Sequence, residues 1–120
     1  MFDALYEAVK QVESSGGKNL IGPETKYGRA KGPVQLLDST GRAYHEKLGL
    51  KGEYNPFDEG QSRAIFEAKM KDLLKHYDGN MELAILAYHT GEGNVDKGKI
   101  GPQGRAYVPA VFAALTRGQA

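Results

Sequence analysis

The run Met81-Glu82-Leu83-Ala84-Ile85-Leu86-Ala87-Tyr88 is the most apolar stretch of the chain. A helix that is apolar nearly all round has to be covered on all sides, so this run is expected to be a central buried helix. Asp78-Gly79-Asn80 breaks the chain before it and Gly91-Glu92-Gly93-Asn94 ends it. The segments that would cover it also carry helical spacing. Phe2, Leu5, Val9 and Val12 recur every three or four residues and line one face, and Gly16-Gly17 stops that helix. A second helix is expected from about Ser39 to Leu48. Asn55-Pro56-Phe57-Asp58 is turn chemistry, with Asp58 a candidate N-cap. A longer helix then covers Glu59 to Tyr77, with Ala64, Ile65, Ala68, Leu73, Leu74 and Tyr77 as its apolar positions. The last helix covers Arg105 to Thr116, with a stripe of Tyr107, Val108, Val111, Phe112 and Leu115. Residues 16–33 hold five glycines with Pro23 and Pro33 and read as a long loop or short hairpin. Residues 96–104 read as a polar loop, with three glycines and Pro102. No strand pattern of convincing length and no internal repeat is visible. The expectation is one mainly α domain over residues 1–120, with five to six helices and a Gly-rich loop or short hairpin after the first.

Composition narrows the function classes. A chain of 120 residues buries roughly two-thirds of the surface its unfolded form exposes, enough for a core without staples. Hydrophobic residues at 40% and charged residues at 26% exclude intrinsic disorder. No apolar run approaches the ~20 residues of a membrane span. The absence of cysteine excludes a disulfide scaffold, a thiolate zinc site and a cysteine nucleophile. Sixteen Lys and Arg against fifteen Asp and Glu leave a charge of +1, which argues against nucleic acid as the main partner. Met1-Phe2-Asp3-Ala4-Leu5-Tyr6-Glu7 is not a secretory signal, because acids interrupt it at once. The protein is therefore expected to stay inside the cell that makes it, to travel by another route, or to be an excised domain.

Three clusters could carry chemistry. Glu13 falls on the last turn of the first helix, with Val9 and Val12 beside it. The C-terminal end of a helix dipole prefers cations, and apolar neighbours disfavour the charged carboxylate and raise its pKa. Those are the needs of a general acid near neutral pH; on spacing alone, a solvated helix-end glutamate is the commoner case. Gln35 is a polar residue within Gly32-Pro33-Val34-Gln35-Leu36-Leu37. A buried amide must find partners, either a sugar's hydroxyl or N-acetyl group or, more commonly, backbone. Tyr88 and His89 end the apolar helix, where glycines allow close approach. A phenol at Tyr88 could orient a catalytic carboxylate. His45, His76 and His89 lack metal-ligand spacing, so neither metal nor cofactor is expected.

Taken in order, these pieces resemble the soluble-type lytic transglycosylases, the SLT domain of the lysozyme-like superfamily. The family's first helix ends in Glu-Ser, as at Glu13-Ser14. Its Gly-Leu-Met-Gln-Leu-Met run is matched by Gly32 through Leu37, and an Asn-Pro pair before a long helix by Asn55-Pro56. Its hallmark Ala-Tyr-Asn-Ala-Gly-Pro-Gly-x-Val corresponds to Ala87 through Val95, and Arg-x-Tyr-Val-x-x-Val to Arg105 through Val111. The match spans about residues 4–112, and the Gly91-Glu92-Gly93 version resembles internal virion transglycosylases of tailed phages. This chain departs from the pattern with His89 in place of the usual Asn, with Pro33 and Val34, with Gln103 nearest a position that is often glutamate, and with Thr25-Lys26 near the usual serine.

The resemblance implies a lysozyme-like fold and peptidoglycan glycan strands as partner. It implies cleavage of the β-1,4 bond between N-acetylmuramic acid and N-acetylglucosamine, with a 1,6-anhydro ring formed and one glutamate, Glu13, handling both proton steps. Ser14, Gln35, Tyr88, His89 and Tyr107 are the implied substrate-side residues, with Tyr107 bordering the groove. Lys26 and Lys31 are candidates to meet acidic stem peptides, though solvated charge is the commoner role. The alternatives are a goose-type lysozyme hydrolase, with Asp58, Glu92 or Asp96 as second carboxylate, and a non-catalytic wall-binding module. Action in the periplasm or cell wall without an export signal fits an excised domain or a component of a larger virion or secretion assembly.

Overall fold

The structure, a computed structural model, describes residues 2–119. The ends of the expected domain, Met1 and Ala120, therefore lie outside the described residues. The described residues form six helices: α1 (Phe2–Ser14), α2 (Asp38–Leu48), α3 (Glu59–His76), α4 (Met81–Thr90), α5 (Glu92–Asp96) and α6 (Pro102–Gln119). Between α1 and α2 lies an antiparallel three-stranded sheet, β1 (Ile21–Thr25), β2 (Gly28–Lys31) and β3 (Leu36–Leu37), in the order β1-β2-β3. No described helix is long and apolar enough to cross a membrane.

Most helix boundaries follow from local chemistry. Asp58 caps α3 by accepting from the Gln61 amide at 2.9 Å, as expected, and Asn80 caps α4 by accepting from the Leu83 amide at 3.1 Å. α6 starts at Pro102, earlier than expected. Proline breaks a helix interior but is favoured at the first helical position, where its missing N–H costs nothing. α5 is a single turn in a segment read as a loop, too short to show a period. The β1–β2 pair is the short hairpin expected after the first helix; its strands could not be bounded from sequence because β1, Ile-Gly-Pro-Glu-Thr, has no alternation and is mostly exposed.

The core joins α1, α3, α4 and α6. Tyr6, Val9, Ile65, Phe66, Met70, Ile85 and Val111 are fully covered, each contributing roughly 1.5–3 kcal/mol of burial for a side chain of that kind. α4 packs against α3, α5 and α6 but is not covered on all sides. Ala84, Ile85 and Ala87 are buried, whereas Leu83 and Leu86 are half-buried along a hollow between α4 and α6. The Tyr6 hydroxyl (2.6 Å) and the Lys10 ammonium (2.5 Å) both donate to Glu59, tying α1 to the start of α3.

Candidate active site

α1 presents its inward stripe through Leu5, Tyr6 and Val9, and Glu13 follows Val9 by one turn on the same side. The helix then stops abruptly. Ser15, Gly16 and Gly17 all take positive φ, and the amides of Lys18 and Asn19 return to the Ser14 carbonyl at 2.8 and 2.9 Å. No basic residue stands in the last turn of α1. Glu13 is thus fixed at a rigid helix end, half-buried, with no cation paired to it among the described residues.

Burial pushes the Glu13 carboxyl up from its ordinary 4.5 to about 7. One contact opposes the shift: the Tyr107 hydroxyl, on α6, donates to Oε2 at 3.2 Å. The phenol that bonds to the Glu13 carboxyl is therefore Tyr107, while Tyr88, the phenol that the sequence singled out, donates to the Val34 carbonyl. Spacing placed Tyr88 at a helix end beside glycines, but it could not show which phenol points across the fold. Tyr107 is itself buried, so its ring forms a wall behind the acid, and His89 stacks on that ring with centroids 4.5 Å apart. Desolvation there lowers the His89 pKa from its ordinary value.

Ser14, Gln35 and Tyr88 converge on one loop. The carbonyls of Gly32, Pro33 and Val34 each accept from a different side chain: Gln35 Nε2 at 2.9 Å, Ser14 Oγ at 2.7 Å and the Tyr88 hydroxyl at 2.8 Å. Gln35 also donates to the Leu20 carbonyl at 3.2 Å, and the Gly17 amide donates to Ser14 Oγ at 3.0 Å. Ser14 is wholly buried. Its hydroxyl anchors the loop. The Gln35 amide nitrogen is likewise committed to backbone. Gly32 is required where it stands, because its φ is +88° and a Cβ there would collide with the Pro56 backbone.

The three nominal second carboxylates are engaged elsewhere. Asp58 caps α3, while Asp96 accepts from His76 at 2.9 Å and Glu92 lies 3.7 Å from the same ring. None of them shifts Glu13; burial and Tyr107 do. Two hollows, of about 470 Å³ between α1 and α6 and about 520 Å³ between α4 and α6, do not include the acid. Lys26 sits 5.0 Å from the ring of Tyr27 and Lys31 pairs with Asp38 at 2.9 Å, so Lys31 is not free to meet a ligand.

The family model described as transglycosylase SLT domain matches residues 3–107. Among solved structures, the 70 kDa soluble lytic transglycosylase of Escherichia coli is similar, with a TM-score of 0.71 at 21% identity. The match covers 93% of this chain and 21% of that one. A structure of the 70-kDa soluble lytic transglycosylase in complex with bulgecin A gives 0.73 at 20% identity with the same coverage. At that identity the likeness shows the fold, which is mainly helical and lysozyme-like, as expected. This chain spans only the 21% of the larger protein that it covers.

Proposed function

The chain belongs to the transglycosylase SLT domain family, and on that premise we propose that it cleaves peptidoglycan glycan strands by a single-carboxyl mechanism. The bond is the β-1,4 link between N-acetylmuramic acid and N-acetylglucosamine. Glu13, as the carboxylic acid, gives its proton to the glycosidic oxygen while the bond from C1 to that oxygen breaks. The resulting carboxylate takes the proton of the muramoyl C6 hydroxyl while O6 closes on C1. Glu13 ends as it began, no water is consumed, and the products are a 1,6-anhydromuramoyl end and a free N-acetylglucosamine hydroxyl.

The observation that carries this reading is the state of Glu13: half-buried, shifted to about 7, and touched by one phenol. A carboxyl poised there passes between acid and base with little driving force lost either way. An ordinary glycosidase uses a second carboxylate as nucleophile or as base for water, and none among the described residues shifts Glu13. Tyr107 orients the acid, and Ser14, Gln35 and Tyr88 hold the loop beside it, which supplies the preset geometry an intramolecular attack depends on. The substrate places the action at the cell wall, reached as a domain of a larger protein or as part of a virion or secretion assembly.

Mass spectrometry of muropeptides released from purified sacculi tests the reading. Anhydro ends are expected. Reducing ends would assign a lysozyme-type hydrolase instead, and binding without release a wall-binding module. Glu13→Gln, which keeps shape and removes the proton, should abolish release.

A further inference from the structure

The inward stripe of α3 runs through Ser62, Ile65, Phe66, Met70 and Leu73, all buried. Lys69 lies on the same stripe, three residues from Phe66 and four from Leu73. Helical periodicity assigns that position to an apolar side chain, yet the chain places a cation there. Lys69 is half-buried, and among the described residues its ammonium makes neither a hydrogen bond nor an ion pair. Glu92 and Asp72 act on it only through space. Asp72 is held by Tyr44 at 2.6 Å and Lys47 at 3.3 Å, and Glu92 faces His76. Burial pulls the Lys69 pKa below its ordinary value, and no carboxylate among the described residues pairs with it to offset that cost.

The location explains the cost. Lys69 Nζ lies 5.9 Å from the ring centroid of Tyr88, within cation–π reach. Phe66 meets the Tyr88 ring at 5.4 Å, and the Tyr88 hydroxyl is fixed on Val34. The charge of Glu13 also acts on Tyr88. The ammonium and the acid therefore both act on Tyr88. Its nitrogen is not among the fully enclosed unpartnered atoms, which are His45 Nε2 and the Tyr54 hydroxyl, so it remains reachable from outside.

We propose that Lys69 receives a carboxylate carried on the lactyl arm of the muramoyl residue: one of the stem peptide where the arm bears a stem, or the lactyl group's own where the stem has been removed. The contact sets the register of the glycan strand against Glu13. This rests on the peptidoglycan reading above. It moves recognition of the acidic arm away from the hairpin lysines, Lys26 and Lys31, and onto α3.

Binding is measured by calorimetry on Glu13→Gln protein, so that strands survive, with sonicated stem-bearing glycan strands as probe. Adding Lys69→Met keeps the long apolar stem and should weaken Kd about tenfold, the loss of one charge-assisted contact. Lys69→Arg should stay within about threefold of the lysine protein, since it restores the charge. With strands whose carboxylates have been converted to amides, the lysine and methionine proteins should bind alike. Amidase-stripped strands, whose arms end in the lactyl carboxylate that the cleavage frees, then separate the sources: discrimination on them shows that the lactyl carboxylate also serves, and lost discrimination assigns the contact to the stem peptide alone. The Tm of Lys69→Met should hold or rise. Equal Kd for both proteins on carboxylate-bearing strands overturns the proposal and leaves the peptidoglycan reading intact. So does a fall in Tm with unchanged Kd, which would make Lys69 structural. Strands bound by neither protein overturn both readings.

Discussion

Glu13 has a folding consequence as well as a chemical one. Its folded-state pKa of about 7 lies above the ordinary 4.5, so the native protein disfavours the ionised form. Stability from this group is complete at pH values below about 4.5 and is lost as the pH rises through 7. The full difference is about 3 kcal/mol. Glu13→Gln should remove that pH dependence and leave the variant more stable than the parent above pH 7. Urea unfolding at pH 5 and pH 8 checks this, and a parent that gains stability between the two contradicts it. Tyr107→Phe acts in the other direction on the same group. The lost hydrogen bond favours the carboxylate, so its removal raises the pKa further. A hydrogen bond to a charged group is worth roughly 1.5–3 kcal/mol, which moves the alkaline limb of kcat/KM up by about one to two pH units. Helix-end spacing made Glu13 visible in the sequence, but whether its carboxyl is solvated or enclosed depends on α6, which no local pattern near residue 13 reports.

Among the elements, the loop from Gly32 to Gln35 does most to position the site. Three successive carbonyls are held by side chains from α1, from α4 and from the loop itself. Ser14→Ala would strip the donor from the Pro33 carbonyl and the acceptor from the Gly17 amide. It should cost about 1–3 kcal/mol and slow turnover, read as a lower Tm together with a lower kcat on sacculi. Unchanged turnover at a lower Tm would confine the loop to a structural role. The sequence showed glycine-rich chain here and a polar residue in an apolar run. Backbone was the commoner reading for the Gln35 amide, and that is where it donates. The two-residue β3 and the single turn α5 were beyond reach because neither is long enough to repeat a pattern.

On the scale of the whole molecule, α1 and α6 lie side by side, and α4 packs against α6 and α3. Helical stripes in α1, α3 and α6 were legible because each buries one face against this assembly. The apolar run of α4 overstated its enclosure, since Leu83 and Leu86 border an open hollow. The hydrogen bond that tunes the acid joins residues 94 positions apart. A ribosome therefore delivers the phenol 94 residues after the carboxyl that it tunes. Until α6 docks on α1, Glu13 has neither that hydroxyl nor the ring behind it. Maturation of the acid is coupled to the meeting of two helices far apart in sequence.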